Sequence, residues 1–352
     1  MPAVSVLIPC YNAVHTLDEA LQSLVQQTFT NFEVAAVDDG STDGSGELLD
    51  AWAGKEPRLR VIHQAHGGIV SALNAGWQAC TAPLIARMDA DDRCASERLA
   101  RQVAWMQEQP QTAVLGSRVQ AFTAPESSVG AGFNAGAGFR VGAGFNAYIE
   151  WSNSLLSDAE MRREIFVESP LVHPSVMLRR ALLGRQRPYE DHGWAEDYDL
   201  WLRLALGGAQ FAKLPETLLE WRESPQRLTR TDRRYSPENF LRARVHYLLR
   251  GPLAGRDAVI LWGAGLAGRQ LSKYLLLQGA PLVAFVDIDP RKIGNLRRGK
   301  PILPPEALLD CLKRYRRPIV LATVGARGAR PIVRARLNAL GLREGEDWWA
   351  AA

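Results

Sequence analysis

From residue 4 to residue 109 the chain alternates short β-branched runs with amphipathic stretches, and this alternation constrains its fold more than any other feature. Val4-Ser5-Val6-Leu7-Ile8-Pro9 is short, apolar and stopped by proline, which suits a strand buried on both faces of a parallel sheet. A helix is predicted next: Thr16 and Glu19 stand in capping-box spacing, and Leu17, Ala20, Leu21, Leu24 and Val25 fall on one helical face. Strands are then expected over residues 32–37, 59–63 and 84–88, and helices over 47–53, 69–80 and 97–109. Strict alternation implies right-handed crossovers and helices on both sides of a mainly parallel sheet, a doubly wound α/β fold. Ligands of such sheets collect at the carboxyl ends of the strands.

Farther along, helices are expected over 158–166 and 194–206 and a strand over 175–178. Arginines then crowd residues 227–256, where Gly251-Pro252 and Gly255 supply breakers. The domain boundary is placed there, dividing residues 1–250 from 256–352. The second part starts afresh with a strand over 259–262, a glycine-rich turn, a helix, and strands over 282–286 and 319–323, which reads as a smaller Rossmann-like α/β unit. A chain of 352 residues accommodates two such domains comfortably. With 47% apolar and 23% charged residues, both can bury a core.

The net charge of +4 hides an asymmetry, because residues 256–352 carry 17 Lys/Arg against 8 Asp/Glu. A basic unit either meets an anionic partner, such as a nucleotide or a phospholipid surface, or presents a solvated basic face. Cys10, Cys80, Cys94 and Cys311 are scattered without CxxC spacing, which argues against a zinc knuckle and a disulfide scaffold and suits reduced core residues in a cytoplasmic protein. No apolar run approaches the roughly 18–20 residues that cross a bilayer, so membrane spanning and secretion are disfavoured.

Between about 130 and 146 the chain repeats Gly-Ala-Gly-Phe, beginning at Gly130, Gly136 and Gly142. Glycine at this density is expected to resist a regular element, yet a phenylalanine in every repeat is unlike a pure linker. A loop that flaps over a neighbouring site and an excursion without catalytic meaning both remain open.

Chemistry gathers in three acidic stretches. The second strand runs into Asp38-Asp39-Gly40-Ser41-Thr42-Asp43, placing carboxylates at the carboxyl edge of the sheet. Asp43 suits a helix cap, but two adjacent acids ending a buried strand repel unless a donor or cation compensates them. Another strand ends in Met88-Asp89-Ala90-Asp91-Asp92; if it persists, Asp89 and Asp91 face one side and can share a hard divalent cation with substrate phosphates. The bland alternative is a solvated acidic turn. Glu196 and Asp197 begin a helix, where the dipole alone favours acids.

Residues 4–12, 38–43, 67–76 and 87–99, together with His173-Pro174-Ser175-Val176 and Glu196-Asp197-Tyr198-Asp199-Leu200-Trp201, resemble family 2 glycosyltransferases of the GT-A fold. The resemblance covers about two-thirds of the chain and is interrupted by the repeat insert. It implies a doubly wound mixed sheet with a donor site that includes Pro9, Asp38, Asp39, Asp89 and Arg222. Asp39 would contact the nucleotide base, Asp91 would ligate Mg²⁺ or Mn²⁺ with Asp89 assisting, and Asp197 would act as catalytic base in an inverting transfer. Trp221-Arg222 would lie near the donor phosphates, for which arginine is geometrically suited. His173 would touch the acceptor or serve the structure.

The processive members' Gln-x-x-Arg-Trp signature is missing, which points to transfer of a single sugar from a nucleotide-diphospho-sugar to an acceptor hydroxyl in cell-surface glycan or polysaccharide biosynthesis. The acceptor would be a glycan or a lipid-linked molecule, with peripheral membrane association open; nucleic acid is not an expected partner.

In the second unit Gly263-Ala264-Gly265-Leu266-Ala267-Gly268 follows a predicted strand and opens a helix, and Asp287 ends the next strand. Gly263, Gly265, Gly268 and Asp287 therefore fit a site for NAD or another nucleotide. No Tyr-x-x-x-Lys pair accompanies them, so a binding or regulatory module is favoured over a fused NAD-dependent oxidoreductase. Two further rivals are a sugar-nucleotide pyrophosphorylase, disfavoured because the first strand ends in Pro9-Cys10-Tyr11-Asn12 and not in a glycine-rich phosphate loop, and a non-catalytic nucleotide-sugar-binding protein.

Overall fold

The computed structural model describes residues 1–123, 141–184, 187–326 and 328–352. Its packing divides the chain into two compact units, one comprising Met1–Met161, Pro170–His192 and Gly207–Asp232, the other Arg162–Ser169, Gly193–Leu206 and Arg233–Ala352.

The first unit is built on an eight-stranded mixed sheet. In chain order its strands are β1 (Val4–Cys10), β2 (Phe32–Asp38), β3 (Leu59–His63), β4 (Leu84–Arg87), β5 (Arg93–Cys94), β6 (Thr112–Phe122), β7 (Met177–Arg179) and β8 (Gln210–Arg222). They lie side by side as β3-β2-β1-β4-β7-β6-β8-β5. β1 is buried along all seven residues and pairs in parallel with β2 and β4, as its short, β-branched and largely apolar run predicts. The Ile69–Ala79 helix lies so close to this sheet that a Cβ on Gly76 would stand 2.0 Å from Leu7 Cδ1 and 3.0 Å from Val37 Cγ2. β7 runs antiparallel to both its neighbours, and β5 antiparallel to β8, which makes the sheet mixed.

Most expected elements are found with ends shifted by one or two residues, and three of the differences bear on the site or the repeat. The strand predicted over 84–88 stops at Arg87. The strand predicted over 175–178 starts only at Met177, because Pro174 lacks a ladder donor and residues His173–Ser175 form a 3₁₀ turn. The third Gly-Ala-Gly-Phe repeat is not irregular: from Ala143 onward it belongs to the Ala143–Ser154 helix, which is anchored by buried Ile149 and Ser152. Residues 124–140 carry the first two repeats and lie outside the described residues, as does the flap reading where it concerns them.

The second unit holds a six-stranded sheet of β9 (Ala258–Trp262), β10 (Leu282–Val286), β11 (Leu296–Arg297), β12 (Lys300–Leu303), β13 (Pro318–Ala322) and β14 (Trp348–Ala350), ordered β11-β12-β10-β9-β13-β14. All pairings are parallel except β11 with β12. Gly263 adopts φ 118°, open only to glycine, and a Cβ on Gly268 would stand 1.9 Å from the Gly263 carbonyl oxygen. These glycines let the Leu266–Leu277 helix begin directly against the end of β9. The Glu196–Leu206 helix belongs to this unit, where Asp199 accepts bonds from Trp194 Nε1 at 2.8 Å and Tyr247 Oη at 2.7 Å.

The four cysteines are buried free thiols. Among the described residues, no helix is long and apolar enough to cross a membrane.

Candidate functional site

Beyond Arg87 the chain leaves β4 and turns. This turn, and not a continued strand, brings one carboxylate oxygen each from Asp89, Asp91 and Asp92 within 4.8 Å of one another. Asp89 pairs with the Arg87 guanidinium. Asp92 is buried: its Oδ1 accepts the Arg222 N–H at 2.8 Å, and its Oδ2 meets no donor. Burial, reinforced by Asp89, pushes the Asp91 carboxyl up to about 6, against the opposing charges of Arg227, Arg222 and Arg87. Burial together with Asp91 and Asp89 drives Asp92 well above the usual carboxylate range. Three hard oxygen ligands that repel one another, one with an orphaned buried atom, fit a Mg²⁺ or Mn²⁺ ion.

Arg222, at the end of β8, frames the turn. Its Nε donates to the Asp91 carbonyl at 2.6 Å, one of its terminal nitrogens pairs with Glu19, and its guanidinium lies 4.4 Å from the centroid of the Phe122 ring. Arg93 covers the same ring at 4.0 Å and donates to Glu19 at 2.8 Å. The capping box expected of Thr16 and Glu19 is therefore not formed. Thr16 makes no side-chain cap; its hydroxyl donates to the Ala13 and Ala90 carbonyls, while two arginines from distant strands compete successfully for the Glu19 carboxylate. The start of the Leu17–Val25 helix is thereby fastened to the acidic turn.

Strand order places the other acids on the same rim. β2 and β4 flank β1 and run parallel to it, so Asp38-Asp39 and the 89–92 turn emerge at the same edge, roughly 10 Å apart across two strand spacings. Pro9 lies between them in β1, paired with Val37. The Asp38 carboxylate accepts from Ser41 N at 3.0 Å and meets His63 Nδ1 at 3.0 Å; burial pushes its pKa up, but these bonds outweigh burial and hold it low. Asp39 accepts from Gly67 N at 2.9 Å, Gly68 N at 2.8 Å and Gln64 Nε2, and pairs with His66 Nδ1 at 2.9 Å. The repulsion expected between two adjacent acids is thus relieved by separate donors on the loop after β3. Asp43 takes Ser45 N and, from the loop after β1, Val14 N; it is not the cap of the Ser45–Ala53 helix, whose N-cap is Gly44 without a side-chain bond. Beside this loop, Tyr11 stacks on His66 with ring centroids 4.2 Å apart.

Asp197 stands in the second unit, half-buried in the first turn of the Glu196–Leu206 helix, where its Oδ1 accepts the Tyr198 N–H at 2.7 Å. Its neighbour Glu196 accepts the Tyr235 hydroxyl at 2.8 Å. His173, in the first unit, is buried with Nε2 3.0 Å from the Tyr189 hydroxyl, and burial with Arg87 depresses its pKa well below the usual range, as for a structural neutral imidazole. Also in the second unit, Asp287 accepts from Ala264 N at 2.8 Å and Asp289 N at 3.0 Å and pairs with Lys292 at 3.2 Å. Burial raises its pKa, but these donors outweigh burial and hold the carboxyl below the usual range.

Sequence reasoning left Asp92, Glu19 and Arg227 out of the site. Asp92 was visible as the third acid of the Asp-Ala-Asp-Asp run; nothing local tied Glu19 or Arg227 to the acidic turn, which lies far off in the chain from both.

Residues 5–184 match Glycosyl transferase family 2. The chain is 30% identical over 221 residues to the Amylovoran biosynthesis glycosyltransferase AmsE of Erwinia amylovora, a match covering 62% of this chain and 75% of that protein. It is 27% identical over 226 residues to an uncharacterized glycosyltransferase of Haemophilus influenzae, covering 63% of this chain and 65% of that one, just under two-thirds. Among solved structures, S. aureus TarS 1-349 in complex with UDP-GlcNAc aligns with a TM-score of 0.54 at 20% identity, over 78% of this chain and 72% of that chain, and shares its fold.

Proposed function

Because the chain belongs to glycosyl transferase family 2, we propose that it transfers a single sugar from a nucleotide-diphospho-sugar to an acceptor hydroxyl, inverting the anomeric centre and depending on a divalent cation. The observation that carries this reading is the 89–92 turn, where three clustered carboxylates and an orphaned buried oxygen call for a cation at the rim of the mixed sheet. Asp91, Asp89 and Asp92 would hold Mg²⁺ or Mn²⁺, which when bound supplies positive charge for the departing diphosphate. Arg222 keeps the turn in place and contributes a further cation beside it. Asp197 accepts the proton of the acceptor hydroxyl as its oxygen bonds to the anomeric carbon and the bond from that carbon to the diphosphate breaks. Tyr11, Pro9, Asp38 and the Asp39-bound loop form the base and ribose side of the pocket, with Asp39 acting through Gly67 and Gly68.

We assign this chemistry to residues 1–250 with Asp197 included, and a Rossmann-like nucleotide-binding or regulatory role to 256–352. In the latter, Gly265 faces open space, which suits approach of a phosphate to the turn. A ribose at Asp287 would have to displace Lys292. The acceptor is a cell-surface glycan, a polysaccharide or a lipid-linked sugar. Several arginines of the 227–256 cluster serve the structure, as with Arg244 on the Ala351 carbonyl and Arg256 on the Pro318 carbonyl, which leaves fewer for a membrane surface.

The test is a panel of nucleotide-sugars with Mn²⁺ and detection of the released nucleotide. One donor is expected to yield free nucleoside diphosphate, in a reaction stopped by EDTA. Pyrophosphate exchange, or release unaffected by EDTA, would refute the proposal.

A further inference from the structure

The last Gly-Ala-Gly-Phe repeat ends in Phe145, in the first turn of the Ala143–Ser154 helix. Its ring meets Trp221 at the end of β8, with centroids 4.7 Å apart. The Arg227 guanidinium lies over both rings, 4.1 Å from the Trp221 centroid and 4.6 Å from that of Phe145. Arg227 Nη1 donates at 2.7 Å to Glu223, whose side chain is 1% exposed, while Arg227's own side chain is only 9% exposed. Arg227 thus rests on one side of a pair of touching rings and is held along one edge by a buried carboxylate. Among the described residues its Nε and Nη2 groups meet no acceptor. Trp221, on which it rests, directly precedes Arg222, whose backbone N–H and Nε hold Asp92 and the Asp91 carbonyl, so the guanidinium lies near the acidic turn.

We propose that Phe145 is a positioning residue for the donor site: with Trp221 it forms the two-ring floor on which Arg227 rests, so that the free N–H groups of the guanidinium receive the donor's diphosphate. The inference rests on the reading of the 89–92 turn as the diphosphate end of that site. A guanidinium stacked on aromatic faces keeps its edge donors available while its orientation is fixed, and a planar fork suits phosphate oxygens. Glu223, which also pairs with Arg230, offsets part of its charge. The repeat phenylalanine, unexpected in a linker, thereby acquires a place in the chemistry.

The test compares wild type, Phe145→Ala, Phe145→Tyr, Arg227→Gln and Asp91→Asn in the full-length protein. Calorimetric titrations use UDP, GDP and dTDP with Mn²⁺, and ligand-observed NMR follows the matching nucleosides without phosphate. For the diphosphate that binds, Phe145→Ala is expected to lose affinity roughly 3–10-fold and Arg227→Gln roughly 10-fold or more. Phe145→Tyr should stay near wild type, and nucleoside binding should be unchanged in all three. Unchanged diphosphate affinity in Phe145→Ala, with Asp91→Asn losing it, overturns the inference and leaves the donor-site reading standing. Equal losses for nucleoside and diphosphate, accompanied by a lowered Tm and no rescue by tyrosine, mark Phe145 as structural and also overturn it. Absence of Mn²⁺-dependent diphosphate binding in the wild type defeats the donor-site reading and the inference together.

Discussion

A buried carboxylate oxygen without a donor, such as Asp92 Oδ2, is costly unless a ligand completes it. Asp92→Asn removes a carboxylate whose ionisation burial and its two acidic neighbours oppose, so in EDTA it should melt at or above the wild-type Tm while losing the Tm rise that Mn²⁺ gives the wild type. A neighbouring prediction concerns pH. Asp91 titrates near 6 in the folded protein and near 3.9 unfolded, so between these values the folded state binds more protons. In EDTA stability should therefore fall as pH rises from about 4 to about 6, and the Asp91→Asn variant should show a flatter Tm profile over that window. With Mn²⁺ present the trend should oppose this, the metal-induced Tm rise being small below pH 5 and complete above pH 7. The acids themselves were legible in the sequence, because runs such as Asp38-Asp39 and Asp89-Ala90-Asp91-Asp92 are local. Their partners were not: Glu19 meets Arg222 and Asp39 meets the loop after β3 through contacts that no short-range pattern encodes.

At the scale of elements, periodicity specified the parallel β1–β4 half of the first sheet and its helices closely, since a strand buried on both faces and an amphipathic helix leave unmistakable patterns. The antiparallel β7 was harder to place, because its three residues owe their conformation to β4 and β6 on either side. Glycine density misled at the third repeat, where contacts of Ile149 and Ser152 outweigh the poor intrinsic propensity of Gly144. Two glycines carry tests of packing. Gly76→Ala forces a methyl into Leu7 and Val37 and should destabilise the first unit by about 1–3 kcal/mol in chemical denaturation. Gly268→Ala places a Cβ against the Gly263 carbonyl, a backbone atom that cannot rotate away, and should disrupt the start of the Leu266–Leu277 helix; loss of amide-exchange protection over that helix is the readout.

At the scale of the whole chain, the residues proposed for the donor side belong to one compact unit and Asp197, the proposed base, to the other. Asp197→Asn should lower turnover roughly 10²–10⁴-fold while donor affinity changes little, because a proton acceptor contributes at the transition state and not to ground-state binding. Steady-state rates beside donor titrations separate the two effects. The most direct test concerns the acidic turn alone: calorimetric titration of the nucleoside diphosphate released in turnover, into wild type and Asp91→Asn, with Mn²⁺ and with EDTA. Binding by the wild type should need Mn²⁺ and should weaken at least roughly tenfold in Asp91→Asn. Equal affinity in EDTA and Mn²⁺, undiminished by the substitution, would contradict a shared site for cation and diphosphate at residues 89–92.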